Sequence, residues 1–392
     1  MDFSIPDETL KDEALFKAFL KAHMAPNLTS WYQEEAVPKD FYRAMGKGGW
    51  FGFEFKAGQM VKHSSLRGAM IAEQLAVISP GVAVAALAHN DLGLTGLWLF
   101  GSDRLKSKYG DPGVRGETLI CVGNTESGAG SDVASISSSA EKVDGGWLLN
   151  GSKAYITNGL VSDMGVVTAV SDPQAGRNKR LSMFLMDFSA EGVSRKKLSK
   201  QVWLPSDLTR VRFKNVFVPD DHLMGERGRG LRQVLGIFTH SRVTISALTL
   251  GTIVGAFELA LDHAGKRKIF NREIQEFQAK AFEMADFYAK IEAVRLLLWK
   301  ACWAVDRGHD FRLESSLAKY MAVLTAREVT TWAADIFGAS SVIHDHPVHK
   351  FPMDAWAASL GEGTQDVQKL IIFREIMKKK GIHKAQGVRH KA

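Results

Sequence analysis

The chain has 392 residues of ordinary globular composition, long enough for a large hydrophobic core and for two or three domains. Its net charge of +7 is concentrated at the C-terminus, where six Lys and Arg residues stand among the last 15 residues without an acidic one. Such a tail is typical of a solvated chain end, with an anion-binding arm as the alternative. We therefore expect no nucleic-acid partner.

The N-terminus is not expected to be a secretory signal, and no membrane span is expected. The start, MDFSIPDETLKDEALF, is acidic and amphipathic and lacks the basic region of a secretory signal. No apolar run reaches the roughly 18 residues that a membrane span needs. Cys121 and Cys302 are far apart in apolar surroundings, which favours buried free thiols over a disulfide framework. A reducing, cytoplasmic setting is expected.

Hydrophobic periodicity predicts three regions along the chain. Residues 1–118 read as helices, as in LFKAFLKAHMA and LRGAMIAEQLAVIS, with apolar residues three and four apart. Residues 119–228 contain short strands rich in β-branched residues, such as LICVGNTE, MGVVTAVS, RLSMFLMDF and RVRFKNVFVP. Residues 229–392 return to long helical patterns and end in the basic tail. The predicted fold class is α+β: an N-terminal helical domain, a central β barrel or sandwich, and a C-terminal helical bundle.

Turn signals divide the strands of the central domain. Asp144-Gly145-Gly146 and Asn150-Gly151 are both typical of hairpin turns. The sequence therefore predicts a turn at each of these two places.

The Gly-rich stretch TESGAGSD, residues 125–132, is not a dinucleotide fingerprint. That pattern requires a third glycine where Val133 stands and a helix where the following sequence predicts a hairpin. What remains is a loop whose N–H groups, with the Thr125 and Ser131 hydroxyls, can hold a polar ring or an anion. An ordinary turn explains the glycines equally well.

A second motif, KAYITNG, follows at residues 153–159. Side chains alternate along a strand, so Tyr155 and Thr157 are expected on the same face. An aromatic plane beside a hydroxyl suits a flat heteroaromatic ligand. A cross-strand packing pair is the alternative.

The stretch WAASLGEGTQDVQKL, residues 356–370, places a carboxylate between two glycines. Thr364 is predicted to cap a helix, and Glu362 lies just before it between Gly361 and Gly363. Bare backbone on both sides lets a carboxylate approach a ligand closely. A solvated turn near a favourable helix dipole is the alternative.

Other chemistries find little support. The segment HDHPVH holds His344, His346 and His349, but Pro347 and the lack of a helical histidine pair favour a polar loop over a metal site. The chain has no phosphate-binding Walker loop, no GxSxG elbow and no zinc spacing. We predict no metal cofactor.

Taken together, six motifs resemble the acyl-CoA dehydrogenase family in their order and approximate spacing. They are TESGAGSD (125–132), KAYITNG (153–159), SD (206–207), SR (241–242), KRKIF (266–270) and EGT (362–364). The resemblance covers about residues 60 to 380. It implies the same three-part fold, with a four-helix bundle that mediates tetramer formation (a homodimer is the alternative), FAD as cofactor and an electron-transfer flavoprotein as acceptor.

The resemblance also implies roles for individual residues. Glu362 falls at the position of the catalytic base. Flavin contacts are implied for Thr125, Ser131, Tyr155, Thr157 and Thr364, and contacts with the FAD of a neighbouring subunit for Arg267, Phe270, Asp335 and Gly338. Substrate contacts are implied for Ser131, Arg242, Gly361 and Gly363.

Several departures from the family pattern bear on the substrate. Gly361 replaces a common aromatic residue before the base, which predicts a branched, cyclic or otherwise bulky acyl group. Asp335 and Ala339 alter a Gln-Ile-x-Gly-Gly pattern, and a carboxylate near a pyrophosphate is unfavourable unless paired. Thr239 replaces an acidic residue three positions before Arg242. A carrier-protein thioester is therefore an alternative to an acyl-CoA, and His89, Asn90 and Asp91 either recognise a polar group or start a helix.

The sequence thus predicts an FAD-dependent dehydrogenase that converts an acyl thioester to the 2-enoyl thioester. Glu362 removes the α-proton and the β-hydride passes to the flavin. A flavin-dependent oxidase or monooxygenase on the same fold is one alternative. A non-catalytic protein that uses its basic tail on nucleic acid is the other.

Overall fold

The computed structural model describes residues 4–344 and 346–382. The first region is helical, as predicted, with short serine-capped helices. Its elements are α1 (Asp7–His23), α2 (Leu28–Glu34), α3 (Lys39–Lys47), β1 (Phe53–Lys56), β2 (Gln59–Lys62), α4 (Ser65–Ile78), α5 (Pro80–Leu87), a π-helical turn (Ala88–Leu94), α6 (Thr95–Phe100) and α7 (Asp103–Val114). The side-chain oxygens of Ser64, Ser79 and Ser102 accept hydrogen bonds from the first turns of α4, α5 and α7. The β1–β2 hairpin was not predicted.

A central sheet follows, as the strand patterns predicted. The strands are β3 (Ile120–Gly123), β4 (Ser139–Val143), β5 (Gly146–Thr157), β6 (Met164–Val170), β7 (Leu181–Asp187), β8 (Val193–Lys197), β9 (Leu208–Pro219) and β10 (Leu223–Met224). They pair in the order β10-β7-β6-β4-β5-β9-β8, with β3 parallel to β6. β6 is buried along its whole length, which explains its continuous apolar run.

One of the two predicted turns in this domain is wrong. The chain turns at Asp144-Gly145, where Gly145 has φ 71°, but Asn150-Gly151 lies inside β5. The register with β9 shifts between Leu149 and Gly151, and a Cβ on Gly151 would stand 2.2 Å from Ser138 Oγ. This glycine therefore marks an irregularity in the strand where another chain segment approaches closely.

The third region is a helical bundle, again as predicted. It consists of α8 (Gly230–Ala264), α9 (Gln278–Asp306), α10 (Arg312–Phe337), α11 (Phe351–Ala357) and α12 (Gln365–Lys379), with a hairpin of β11 (Lys268–Ile269) and β12 (Arg272–Glu273) after α8. Two helical stretches, 80–100 and 230–264, are long and apolar enough to cross a membrane, but most of each is buried inside the protein. Core helices have this composition. The basic tail beyond residue 382 lies outside the described residues.

Two buried side chains join the regions. His89 lies in the π-helical turn and is fully buried; its Nε2 is 3.0 Å from the Gly113 carbonyl, and its Nδ1 accepts from the Ile120 amide at 3.0 Å. Burial lowers the pKa of His89 to about 4, so the ring is neutral. Asp354 in α11 accepts from the Trp203 amide of the β8–β9 loop at 2.6 Å. His89 thus has a joining role, rather than recognising a polar substrate group as considered above.

Both cysteines are buried and free, as predicted. The division at residues 118 and 228 stays a prediction, because the links above cross it.

Candidate active site

The segment Gly361–Glu362–Gly363, here called the base loop, connects α11 to α12 in a strained conformation. Glu362 has φ 48° and Gly363 has φ 94°, both in the left-handed region. A residue other than glycine or asparagine seldom adopts this conformation, and such residues cluster at functional sites. Thr364 stands at the N-cap of α12 as predicted, but its side chain makes no capping hydrogen bond. Other groups must therefore hold the loop.

Three buried side chains bind the carbonyl groups of the base loop. Lys319 in α10 donates to the carbonyls of Gly361 and Gly363. Gln368 in α12 donates to the carbonyls of Glu362 at 3.2 Å and Gly363 at 2.9 Å. Arg242 in α8 donates from Nε to the Glu362 carbonyl at 3.3 Å. Lys319 and Gln368 are 0% exposed and Arg242 is 5% exposed, so the loop is fixed from the protein interior.

The Glu362 carboxylate occupies a poorly solvated position. Burial raises its pKa above the ordinary glutamate value, and the nearby charges of Lys319 and Arg242 oppose that rise. Asp91 adds to it. A carboxylate whose pKa is raised in this way is a better proton acceptor than a solvated glutamate once it is ionised.

Asp91 lies in the π-helical turn and was named in the sequence only with the polar-group alternative. Its carboxylate accepts from Thr244 Oγ1 at 2.7 Å and from Asn90 Nδ2 at 3.0 Å. Burial raises its pKa. Asn90 and Asp91 are the polar members of a small cavity otherwise lined by apolar and glycine residues. The Asp91 charge raises the pKa of Glu362, which places this π-helical turn in the surroundings of that carboxylate, and such turns often occur at functional sites.

The two sequence motifs of the β domain are joined to each other. The Ala154 amide donates to the Thr125 carbonyl at 2.8 Å, and Lys153 Nζ is 2.8 Å from Glu126 Oε1. Burial alone would raise the pKa of Glu126, but Lys153 and the donors of Ser137 and Ser138 lower it to about 2. This buried ion pair fixes the Gly-rich loop against β5.

The outer side of this assembly is open. Tyr155 lies at an irregularity of β5 with φ 60° and is 58% exposed, whereas Ile156 beside it is buried. Thr125 and Thr157 are partly buried and Ser131 is exposed. Apart from each glycine and its chain neighbours, no atom of the described residues lies within 4 Å of where a Cβ of Gly128 or Gly130 would stand. An exposed aromatic ring, three hydroxyls and bare backbone fit a flat ring that carries an anionic tail.

A second group of predicted cofactor residues lies at the far ends of α8 and α10. Phe270 is at the tip of the β11–β12 hairpin and is 90% exposed, and Arg267 precedes it. Asp335 and Gly338 are exposed where α10 ends. Among the described residues, no hydrogen bond or ion pair joins this group to the base loop, and Asp335 has no ion-pair partner. Within one chain the predicted cofactor residues thus form two separate groups.

Sequence reasoning missed Lys319 and Gln368. A signal existed for Lys319, because it interrupts the small and apolar face of α10 between Ala318 and Ala322, all three 0% exposed. No comparable signal marks Gln368, which lies on the amphipathic helix α12 where a polar residue is ordinary.

The histidine segment lies elsewhere. His344, His346 and His349 line a cavity of about 560 Å³ together with Lys350 and Asp354, away from Glu362. The described His, Cys, Asp and Glu residues contain no group arranged to hold a metal ion. Asp345 lies outside the described residues.

Comparison with known proteins identifies the family to which this arrangement of a partly buried carboxylate and an open aromatic surface belongs. The N-terminal, middle and C-terminal domain models of acyl-CoA dehydrogenase match residues 7–117, 121–216 and 228–377. The chain belongs to the acyl-CoA dehydrogenase family. The predicted family, enzyme class, fold class and FAD cofactor are therefore confirmed.

Full-length relatives agree with this assignment. A probable acyl-CoA dehydrogenase of Mycobacterium tuberculosis is 31% identical over 385 residues, covering 96% of this chain and 97% of the relative. Benzylmalonyl-CoA dehydrogenase of Aromatoleum aromaticum is 30% identical over 383 residues, covering 96% and 100%. The solved structure of butyryl-CoA dehydrogenase from Megasphaera elsdenii matches with a TM-score of 0.91 at 29% identity, covering 96% and 100%.

Proposed function

We propose that this acyl-CoA dehydrogenase family member removes the α-proton of an acyl-CoA thioester with Glu362 and yields the 2-enoyl thioester. One observation carries the proposal: a carboxylate with a raised pKa stands in a left-handed loop whose three carbonyls are all bound by buried side chains. A base that must act on a weakly acidic C–H needs this kind of fixed, poorly solvated position.

The backbone of the base loop supports the same chemistry. Among the described residues, the Glu362 amide has no hydrogen-bond acceptor, while its carbonyl is bound by Arg242 and Gln368. The amide is therefore available to donate to the thioester oxygen, where negative charge develops as the α-proton leaves. Arg242 binds the loop backbone, and Ser131, Arg242, Gly361 and Gly363 remain proposed substrate contacts.

The residues of the β domain would hold the cofactor. Tyr155 would lie against the flavin ring, with Thr125, Ser131, Thr157 and Thr364 as polar contacts. FAD, when bound, supplies the acceptor for the hydride that leaves the β-carbon.

The second group of cofactor residues supports an oligomer. Arg267, Phe270, Asp335 and Gly338 are exposed and separate from the base loop, so we propose that they contact the FAD of a neighbouring subunit in a homotetramer or homodimer. The unpaired Asp335 would then need a cation from that neighbour, because its charge opposes a pyrophosphate. We retain an electron-transfer flavoprotein as acceptor and a cytoplasmic location as proposals.

The acyl group is proposed to be bulky near its reacting carbons. Apart from Gly361 itself and its chain neighbours, no atom of the described residues lies within 4 Å of the position that a Cβ of Gly361 would take, so a side chain there would fill free space beside Glu362. The relative from Aromatoleum aromaticum is named for a benzyl-substituted substrate, which agrees with this proposal.

An anaerobic absorbance titration tests the function. Straight, branched, cyclic and aromatic acyl-CoAs are added to the purified holoenzyme, and we expect one bulky class to bleach the flavin until an acceptor is added. Gly361→Tyr should weaken bleaching by that class more than by straight-chain acyl-CoAs. If no acyl-CoA bleaches the flavin, the proposal fails for CoA thioesters, and carrier-bound thioesters or oxygen chemistry take its place.

A further inference from the structure

We propose that Lys319 is a positioning residue for the catalytic base: it orients the backbone on both sides of Glu362 and supplies the positive charge that the Glu362 carboxylate faces. The inference rests on the proposed role of Glu362. Its structural part, the hold of Lys319 on the loop, can be tested without any substrate.

The first step of the argument concerns what compensates the buried charge. Lys319 is 0% exposed, and burying an ammonium group is costly unless it is hydrogen-bonded and paired. Among the described residues, no carboxylate forms a salt bridge with it. Its acceptors are the carbonyls of Gly361 and Gly363. The ammonium group of Lys319 therefore binds the peptide that precedes Glu362 and the peptide that follows Gly363.

The second step concerns peptide geometry. In a trans peptide the C=O and N–H groups point in opposite directions. Because the Gly361 carbonyl points to Lys319, the Glu362 amide of the same peptide must point away from α10. That amide is the one without an acceptor among the described residues. Lys319 thus aims the donor that the proposed function assigns to the thioester oxygen.

The third step concerns charge. Lys319 lowers the pKa of Glu362 against the effect of burial and of Asp91, while burial lowers the pKa of Lys319 itself to about 8. Arg242, the other cation near the carboxylate, also lowers the pKa of Lys319. Removal of Lys319 would leave Arg242 as the cation that lowers the pKa of Glu362.

The experiment compares three changes at Lys319 in the holoenzyme with a matched control. Lys319→Met removes donor and charge, Lys319→Gln keeps a donor without the charge, and Lys319→Arg keeps both. Ser316→Ala is the control, because Ser316 lies one turn away on α10, is 0% exposed and has an Oγ without a hydrogen-bond partner among the described residues. Thermal unfolding first establishes which variants are folded.

Two measurements need no substrate. Hydrogen exchange of peptides covering residues 358–366 should be at least about tenfold faster in Lys319→Met than in the parent, with Ser316→Ala unchanged. The Glu362 carboxyl, followed by infrared difference spectra against Glu362→Gln, should titrate at higher pH in both Lys319→Met and Lys319→Gln. Parental exchange and parental titration in the folded variants would overturn the proposal.

A third measurement links the lysine to catalysis. At saturating acyl-CoA, flavin reduction in Lys319→Met should fall about 100-fold while the substrate dissociation constant changes less than about threefold, because misplacement of a base affects the chemical step. Lys319→Arg should recover part of the rate. Equal losses in rate and binding would reduce Lys319 to a merely structural residue. If no acyl thioester reduces the flavin of the parent enzyme, the proposed function fails. The hydrogen-exchange and titration results still decide whether Lys319 positions the loop.

Discussion

Two fully buried lysines hold the two loops of this site, and they do so in different ways. Lys153 in β5 ends on a carboxylate, Glu126, and fixes the Gly-rich loop through an ion pair at 2.8 Å. Lys319 in α10 donates hydrogen bonds to two backbone carbonyls, and its positive charge acts on the Glu362 carboxylate. Burial lowers the pKa of both lysines to about 8. A buried lysine that forms an ion pair with a carboxylate fixes a loop, as Lys153 does. A buried lysine bound only by carbonyls can instead lower the pKa of a nearby carboxylate, as Lys319 does for Glu362.

The largest expected effect is on catalysis, and it comes from changing Glu362 rather than the Lys153–Glu126 ion pair. Glu362→Gln removes the proton acceptor and keeps the side-chain shape, so flavin reduction should fall about 10²- to 10⁴-fold, the range of a positioned base. Flavin content should stay at the parental level, measured by absorbance after denaturation. Reduction at the parental rate would show that Glu362 is not the base.

The second effect concerns the Gly-rich loop. Glu126→Gln leaves Lys153 charged and buried without its carboxylate, which should lower the free energy of unfolding by about 3 kcal/mol, as expected for a broken buried pair. FAD retention should fall as well, because the loop would lose its hold on Thr125. Denaturant unfolding and flavin content measure the two losses. Retention of FAD with unchanged stability would show that the Lys153–Glu126 ion pair does not fix the Gly-rich loop.

The third effect is on pH dependence. Because the pKa of Glu362 is raised, its ionised form accumulates at a higher pH than that of an ordinary glutamate. kcat/KM should therefore rise as the pH passes through the raised pKa of Glu362. The charges that face Glu362 are Lys319, Arg242 and Asp91. Lys319→Met should move this acid limb to higher pH, whereas Lys153→Met, assayed with excess FAD because its ion pair with Glu126 is broken, should leave the limb in place. A shift in both variants would remove the distinction between the two lysines.

The smallest effect tests how the base loop ends. Thr364 makes no side-chain cap, so Thr364→Ala should change the free energy of unfolding of the flavin-free protein by less than about 0.5 kcal/mol. Ser64→Ala is the matched control, because Ser64 Oγ accepts from the Arg67 amide at 3.2 Å and its loss should cost about 1 kcal/mol. Equal costs would mean that Thr364 caps α12 after all.

The fold and the site differed in how far the sequence predicted them. Apolar periodicity predicted the helical regions and most strands of the central sheet, since burial of one face leaves a repeating pattern, but not the β1–β2 and β11–β12 hairpins. The Asn150-Gly151 dipeptide misled, because the glycine was required by the approach of Ser138 from another segment, which no local pattern records.

The candidate base could be predicted, but what holds it could not. Glu362 carries a local signature, two flanking glycines, together with its place in the family motif. Lys319 stands 43 residues earlier in the chain and Arg242 well before that, so their convergence on one loop exists only after α8, α10 and α12 have packed. The family resemblance implied Arg242 as a substrate contact, which stays a prediction, and the structure adds its hydrogen bond to the loop backbone.

The buried ring of His89 has a consequence for how this protein can be divided. The imidazole spans the helical region and the first strand of the sheet, with one nitrogen at the Gly113 carbonyl and the other accepting from the Ile120 amide. A chain cut at residue 118 would put His89 Nδ1 and the Ile120 amide in two separate fragments. Each fragment would then contain a polar group that has lost its hydrogen-bond partner. The helical region and the sheet are therefore best exchanged together. A recombinant that takes one of them from a relative must keep a histidine and a strand amide that can form this hydrogen bond, or leave a buried polar group unpaired in each region.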